Sequence, residues 1–304
     1  MNLKALCQIP LFAALALMLV VPVQALPKWS LPDGIKSIEV NGYDMAYQEM
    51  GAGIPLVLVH GAMSDYRTWS GQVPVFARKY RVIAVSLRHY FPEKWNGAGD
   101  DFTIEQHIDD VPEFIKRMNL GKVHLLGHSR GGAVSLNVAK RHPELIKTLI
   151  LEDASGLEAL LPESPEDQRL AAEALANREA LAKALAAGEI DRGVQVWFDA
   201  LAGSGAWSRL APGRKQNLLD NLGTALKPEG RGPVTTCNEI ARFDFPVLLL
   251  NGERSPRRYP AMFAAMRKCK ELDAPIVIPN AAHGMHRDNP TAFETAILDF
   301  LSRH

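Results

Sequence analysis

Gly127-His128-Ser129-Arg130-Gly131 holds residue types that could do covalent chemistry. The apolar run Val123 to Leu126 precedes it, and Gly132-Ala133-Val134 opens a helical stretch behind it. A strand that turns sharply into a helix strains the residue at the bend, and glycines on either side let the neighbouring backbones approach. The Ser129 hydroxyl would then stand clear of the strand, beside helix N–H groups that can receive a developing oxyanion. A bare serine is a weak nucleophile, so a base must lie within hydrogen-bond reach. His283 ends Pro279-Asn280-Ala281-Ala282-His283, just beyond the last apolar run. In a parallel sheet that loop shares a rim with Ser129, which makes His283 the candidate base. His286 and Asp288 read as loop-packing residues, because two histidines three apart with no third ligand are weak evidence for a metal.

Those residues need a sheet to hold them. Asn41-Gly42 supplies the positive φ angles of a hairpin turn between Lys36 to Val40 and Tyr43 to Glu49. Continuous apolar runs such as Leu56 to Val59, Val82 to Val85 and Leu149 to Leu151 then alternate with amphipathic stretches. Such runs are strands buried on both faces, and the alternation predicts an α/β fold with a mostly parallel sheet flanked by helices. The rhythm stops after Asp153 and resumes at Pro246, and about 90 residues is far longer than an ordinary crossover. Ser164-Pro165-Glu166-Asp167 starts a helix with a capping serine, a proline in the first turn and early negative charge. Leu170, Leu175, Leu181 and Leu185 continue it at helical spacing, and further stretches run from Ile190 to Leu201 and Arg214 to Leu226. The expected organisation is a leader over 1–25, a core over 26–154 and 240–304, and an inserted helical cap over 155–239.

Lys4 followed by the apolar run Leu11 to Val23 and the small-residue pattern Val23-Gln24-Ala25 has the layout of a secretory signal peptide. The run is shorter than a bilayer span needs, so no stable membrane anchor is expected after cleavage, and the location is read as periplasmic or secreted. Cys7 falls in the leader, leaving Cys237 and Cys269, which export would allow to pair or which could remain separate thiols. Lys plus Arg and Asp plus Glu are 34 each, so no broad field attracts nucleic acid. No dinucleotide, phosphate-loop or metal motif implies a cofactor.

Taken together, these residues resemble the α/β-hydrolase family over nearly all of the chain beyond the leader. His60-Gly61, after the strand Leu56 to Val59, is similar to the family's oxyanion motif. The resemblance implies an eight-stranded sheet and an oxyanion hole formed by the backbone N–H groups of Ala62 and Arg130. Ala282-His283-Gly284-Met285-His286 resembles the base-bearing segment, and the order Ser, acid, His is kept. The family's usual acid follows the strand Val247 to Leu250, where this chain has Ser255 in Gly252-Glu253-Arg254-Ser255-Pro256. A serine cannot stabilise an imidazolium as an anion does. Asp153, after Leu149-Ile150-Leu151-Glu152, takes that place, with Glu253 as the alternative and Glu152 third. Ser86-Leu87-Arg88-His89-Tyr90 also departs from the family's Asp-Leu-Arg-Gly-His turn.

Arg130 is expected to pair with Asp153 or a cap carboxylate, or else to hold an acidic substrate group. Tyr90, Trp197 and Trp207 are the candidate substrate-lining residues, with Phe91 and Phe198 beside them. The expected activity is hydrolysis of a small-molecule carboxylic ester or lactone through an acyl-enzyme. Carbon–carbon bond cleavage or acyl transfer at the same residues is one alternative, and a non-catalytic binding protein of the same fold is another.

Overall fold

The structure, a computed structural model, describes residues 29–226 and 232–304. The expected leader therefore lies outside the described residues. Eight strands form one sheet: β1 (Ile35–Val40), β2 (Tyr43–Met50), β3 (Pro55–Val59), β4 (Arg81–Val85), β5 (Val123–His128), β6 (Ile146–Glu152), β7 (Val247–Gly252) and β8 (Ile276–Ile278). Their order across the sheet is β1-β2-β4-β3-β5-β6-β7-β8. The hairpin β1-β2 joins β4 antiparallel, and the other pairs run parallel. Asn41 and Gly42 take φ angles of 49° and 76°, as a tight hairpin turn requires.

Alternation along the strands sorts the core into two layers. Val57, Val59, Leu125, Leu149, Leu151 and Leu249 point to one face, and Leu56, Leu58, Leu126, Ile150, Leu248 and Leu250 to the other. Twelve α-helices follow among the described residues. First comes the short α1 (Gln72–Phe76), preceded by a 3-10 turn, Tyr66–Trp69. Next come α2 (Ile104–Arg117), capped by the Thr103 hydroxyl, and α3 (Arg130–Arg141). Between β6 and β7 lie α4 (Pro165–Ala186), α5 (Ile190–Ala202), α6 (Ala206–Arg209), α7 (Pro212–Leu219), α8 (Gly223–Leu226) and α9 (Cys237–Ala241). The Ser164 hydroxyl caps α4 by accepting the Asp167 N–H. The stretch read as continuous from Arg214 to Leu226 is divided into α7 and α8 by a turn at Asn221 and Leu222. The chain closes with α10 (Arg258–Cys269), α11 (Met285–Asp288) and α12 (Pro290–Leu301).

Helices α2, α3 and α10 cover the first face, and α1 and α12 the second. The helices inserted after β6 carry a smaller core of their own, built from Leu181, Leu185, Val194, Phe198 and Trp207, which meets Met63 on the loop after β3. That contact places them over the rim of the sheet. β4 and β5 lie on opposite sides of β3, so the strand order reverses there; in open α/β sheets ligands bind at such a switch point.

A disulfide joins Cys237, at the start of α9, to Cys269, at the end of α10, with the two Cα atoms 4.7 Å apart. It ties the end of the inserted segment to a core helix across 32 positions of sequence. Closing a loop of that length constrains the unfolded chain by about 3–4 kcal/mol. The double variant Cys237→Ser, Cys269→Ser should lower the unfolding free energy in urea by about 2–4 kcal/mol. An unchanged midpoint would show that the bridge contributes nothing.

Candidate active site

The strand β5 ends at His128 and α3 begins at Arg130, so Ser129 makes the whole turn alone, at φ 53° and ψ −116°. An L-residue is strained there, and the surrounding backbone has to enforce it. The Ser129 N–H donates to the Glu152 carbonyl, while its own carbonyl accepts from the Ala133 and Ser155 N–H groups. Glycines allow the approach. A Cβ at Gly131 would stand 2.3 Å from the His60 carbonyl oxygen, and one at Gly127 would stand 2.4 Å from the Gly131 carbonyl oxygen. Only bare backbone fits at both positions.

Ser129, His283 and Ala62 line one cleft of about 440 Å³, roofed by Trp197, Phe198, Leu201, Ala202 and Leu218 from the inserted helices. The structure thus brings the elbow serine and the last-strand histidine to a common surface, although 154 positions separate them in sequence. Behind the imidazole, His283 Nδ1 lies 3.0 Å from Asp153 Oδ2. Ser255 Oγ donates to the same oxygen at 2.6 Å, and Asn251 Nδ2 donates to Oδ1 at 2.7 Å. The serine at the family's usual acid position has become a hydrogen-bond donor to a carboxylate supplied by the residue that follows β6. Burial pushes the Asp153 carboxyl up to about 7, against those two donors and the nearby Arg258 charge. Burial also holds His283 well below the usual histidine range.

Glu253 goes elsewhere: its carboxylate accepts the Asn280 N–H at 2.7 Å on the exposed loop. Glu152, the last residue of β6, bonds elsewhere: Oε1 accepts from His286 Nδ1 at 2.6 Å, while Asp153 follows the strand at φ 40°. Arg287 donates to Thr68 Oγ1, which contacts His286 Nε2 at 3.0 Å. His286 is therefore a packed member of a buried network, while Asp288 accepts the Ala282 N–H and fixes the loop that carries His283. His128, Glu152 and His286 offer atoms within 4.8 Å of one another, a spacing a metal could use. His128 Nε2 is already bonded to the His283 carbonyl, and His286 to Glu152, so the donors hold the loop together instead.

The loop after β3 is held by His60. The Leu87 N–H donates to Nε2 at 3.0 Å, which leaves Nδ1–H to donate to the Gly61 carbonyl at 2.8 Å. Both bonds need the neutral ring, and burial lowers its pKa to about 4. In the departing turn, His89 takes φ 67° where the family has glycine, and Glu93 and Asp101 clamp its ring.

The Arg130 side chain is buried over Phe102 and Tyr90, 5.3 and 5.9 Å from their ring centroids, and the Asp153 carboxylate, one partner expected for it, is engaged by other groups. Two of the expected lining residues are corrected. Tyr90 packs against His60 and Phe102 in the core, off the cleft. Trp207 packs on Phe198 inside the inserted helices, with Lys215 over its ring, so it supports the cleft wall without lining it. Aromatic character marked these residues, but only the fold decides which way each ring faces. Of the three proposed lining residues, Trp197 reaches the cleft.

Tyr259 was missed. Its ring stacks on His283 at 4.5 Å, and its hydroxyl lies 3.4 Å from Nε2 and accepts from Arg258 Nη2. Nothing in its spacing signalled this, because it enters from the first turn of α10.

A model of the alpha/beta hydrolase family matches residues 56–296. The chain belongs to that family. Among relatives of this hydrolase, the (E)-2-((N-methylformamido)methylene)succinate hydrolase of Acinetobacter baylyi is 27% identical over 268 residues, covering 86% of this chain and 95% of the relative. A 2-hydroxy-6-oxo-6-(2'-aminophenyl)hexa-2,4-dienoic acid hydrolase of Metapseudomonas resinovorans is 35% identical over 124 residues, which is 40% of this chain and 42% of that protein. Among solved structures, the carboxylesterase CesB of Bacillus subtilis shares the fold with a TM-score of 0.69 at 19% identity, covering 91% of this chain and 94% of its own. An esterase from Thermogutta terrifontis does so with a TM-score of 0.66 at 24% identity, covering 88% and 97%.

Free histidine protonates near pH 6.5, whereas His60 in the fold resists protonation until about pH 4. Its burial therefore favours the folded hydrolase fully above pH 6.5, and the advantage fades as pH falls towards 4, by up to about 3 kcal/mol. NMR of histidine-labelled protein should show His60 neutral at pH 5.5; a midpoint near 6.5 would contradict the assignment.

Proposed function

We propose that this hydrolase cleaves a small carboxylic ester or lactone through an acyl-enzyme on Ser129. The observation that carries the reading is the bond from His283 Nδ1 to Asp153, on an imidazole that shares its cleft with the elbow serine. In this reading Ser129 Oγ attacks the carbonyl and His283 Nε2 takes its proton. Asp153 keeps the proton on Nδ1 and stabilises the imidazolium. The tetrahedral oxyanion is received by the backbone N–H groups of Ala62 and of Arg130, the first residue of α3. His283 then returns the proton to the leaving alcohol, and water repeats the sequence to free the acid.

The largely apolar roof from Trp197, Phe198 and Leu201 supports an uncharged ester group at the reacting end of the cleft. Carbon–carbon cleavage is the competing reaction, since a meta-cleavage-type relative matches part of the chain. We also propose export to an oxidising compartment, a reading the Cys237–Cys269 bridge supports.

Steady-state kinetics on p-nitrophenyl esters and on vinylogous diketones separate the two reactions. Ester turnover is expected to exceed diketone turnover, and Ser129→Ala should abolish it. Asp153→Asn should lower kcat by roughly 10³-fold or more, with Glu253→Gln within about twofold of the parent. Loss in Glu253→Gln with Asp153→Asn intact would assign the acid wrongly. Ionised Asp153 is the working form and its carboxyl is pushed up to about 7, so kcat/KM should rise with pH and level off above that value. A plateau already complete at pH 5 would contradict this role.

A further inference from the structure

A second hollow of about 320 Å³ adjoins the cleft and shares Ser64, Phe198, Leu218 and Arg287 with it. Two guanidinium groups border this hollow, Arg287 from the base-bearing loop and Arg214 from α7. Arginine is rarely withdrawn from water unless paired. Among the described residues, neither has a carboxylate within ion-pair distance. Arg287 bonds to the Thr68 hydroxyl and feels Glu152 and Asp288 only at longer range. Burial lowers the pKa of both groups, and Arg214 lowers that of Arg287 further, so the two cations lie close enough to repel.

One carboxylate does border the hollow, that of Asp65. Its oxygens are already taken by Arg67, which bonds them at 2.8 and 2.7 Å, and by Asn221 at 2.7 Å. The hollow therefore presents surplus positive charge. Ser64 and Asn217 add neutral polar groups to its wall.

Resting on the ester-hydrolase reading, we propose that Arg214 and Arg287 form a carboxylate-binding subsite, and that the natural substrate carries a free carboxylate beyond its scissile ester or lactone. A planar carboxylate can accept parallel bonds from a guanidinium fork, and binding it relieves the repulsion between two partly buried cations. The anion would also set the register of the substrate, bringing its ester group beneath Trp197 and against Ser129.

The test uses matched pairs of esters, one with a free carboxylate and one with that carboxylate capped as a methyl ester. The charge is carried on the acyl side in mono-p-nitrophenyl esters of succinate to adipate, and on the alcohol side in acetylated hydroxy acids. In the parent protein the best charged ester should exceed its capped partner in kcat/KM by tenfold or more. Arg214→Gln should lower that ratio at least tenfold, and Arg287→Gln likewise, once thermal melting shows it folded. Arg192→Gln, an exposed arginine paired with Glu189, should leave the ratio unchanged. In parallel, glutarate should raise the melting temperature of Ser129→Ala and fail to do so when Arg214→Gln is added. Turnover of capped esters with no preference for charge, together with no glutarate shift, would overturn the subsite while leaving the hydrolase reading intact. No turnover of any ester would overturn the ester-hydrolase reading, and the glutarate measurement would then judge the subsite alone.

Discussion

The closeness of α3 to β3 and β5 is the constraint on which the rest of this molecule depends. The backbone of Gly131 lies against the carbonyls of Val59 and His60, and Gly132 lies against Ala154. With the helix pressed so close, the chain has one residue in which to turn from strand to helix, and Ser129 is held at positive φ. The same approach brings the loop after β3 beside the start of α3, so the N–H groups read as an oxyanion hole border the serine they would serve. Strain at one residue and exclusion of Cβ at its neighbours are two views of one packing decision.

The end of β6 distributes the buried acids. Glu152 closes the strand and Asp153 follows it at φ 40°, and each meets a different histidine of the loop after β8: Asp153 meets His283, and Glu152 meets His286. The outer pair borders the cleft. The inner pair is fully buried, joined to Thr68 and Arg287, and fixes the loop that carries His283. In the proposed reaction the base needs an orienting carboxylate, and its loop needs an anchor; two adjacent residues at the end of β6 would supply both.

Much of this was readable beforehand because it is written in local patterns. Two-sided apolar runs announce the parallel strands, Asn41-Gly42 the hairpin, and the glycines around Ser129 the elbow. The departure at Ser255 pointed towards Asp153, and the geometry shows the serine bonded to that carboxylate. What escaped the sequence depends on juxtaposition across the chain. Tyr259 meets His283 only because α10 packs beside β7, and Arg214 meets Arg287 only where an inserted helix lies over the last loop. Tyr90 and Trp207 misled for the same reason: hydrophobic character marks a residue as inside, without saying whether its neighbours are core or cleft.

The proposed chemistry needs the Ser129 hydroxyl made nucleophilic by an imidazole that Asp153 orients. Its most direct test is covalent capture: incubate the protein with a p-nitrophenyl dialkyl phosphate, digest it, and map the adduct by mass spectrometry. One dialkylphosphoryl group on the peptide bearing Ser129, lost in His283→Ala, is the result predicted. An unmodified protein, or a label placed on another residue and indifferent to His283, would contradict it.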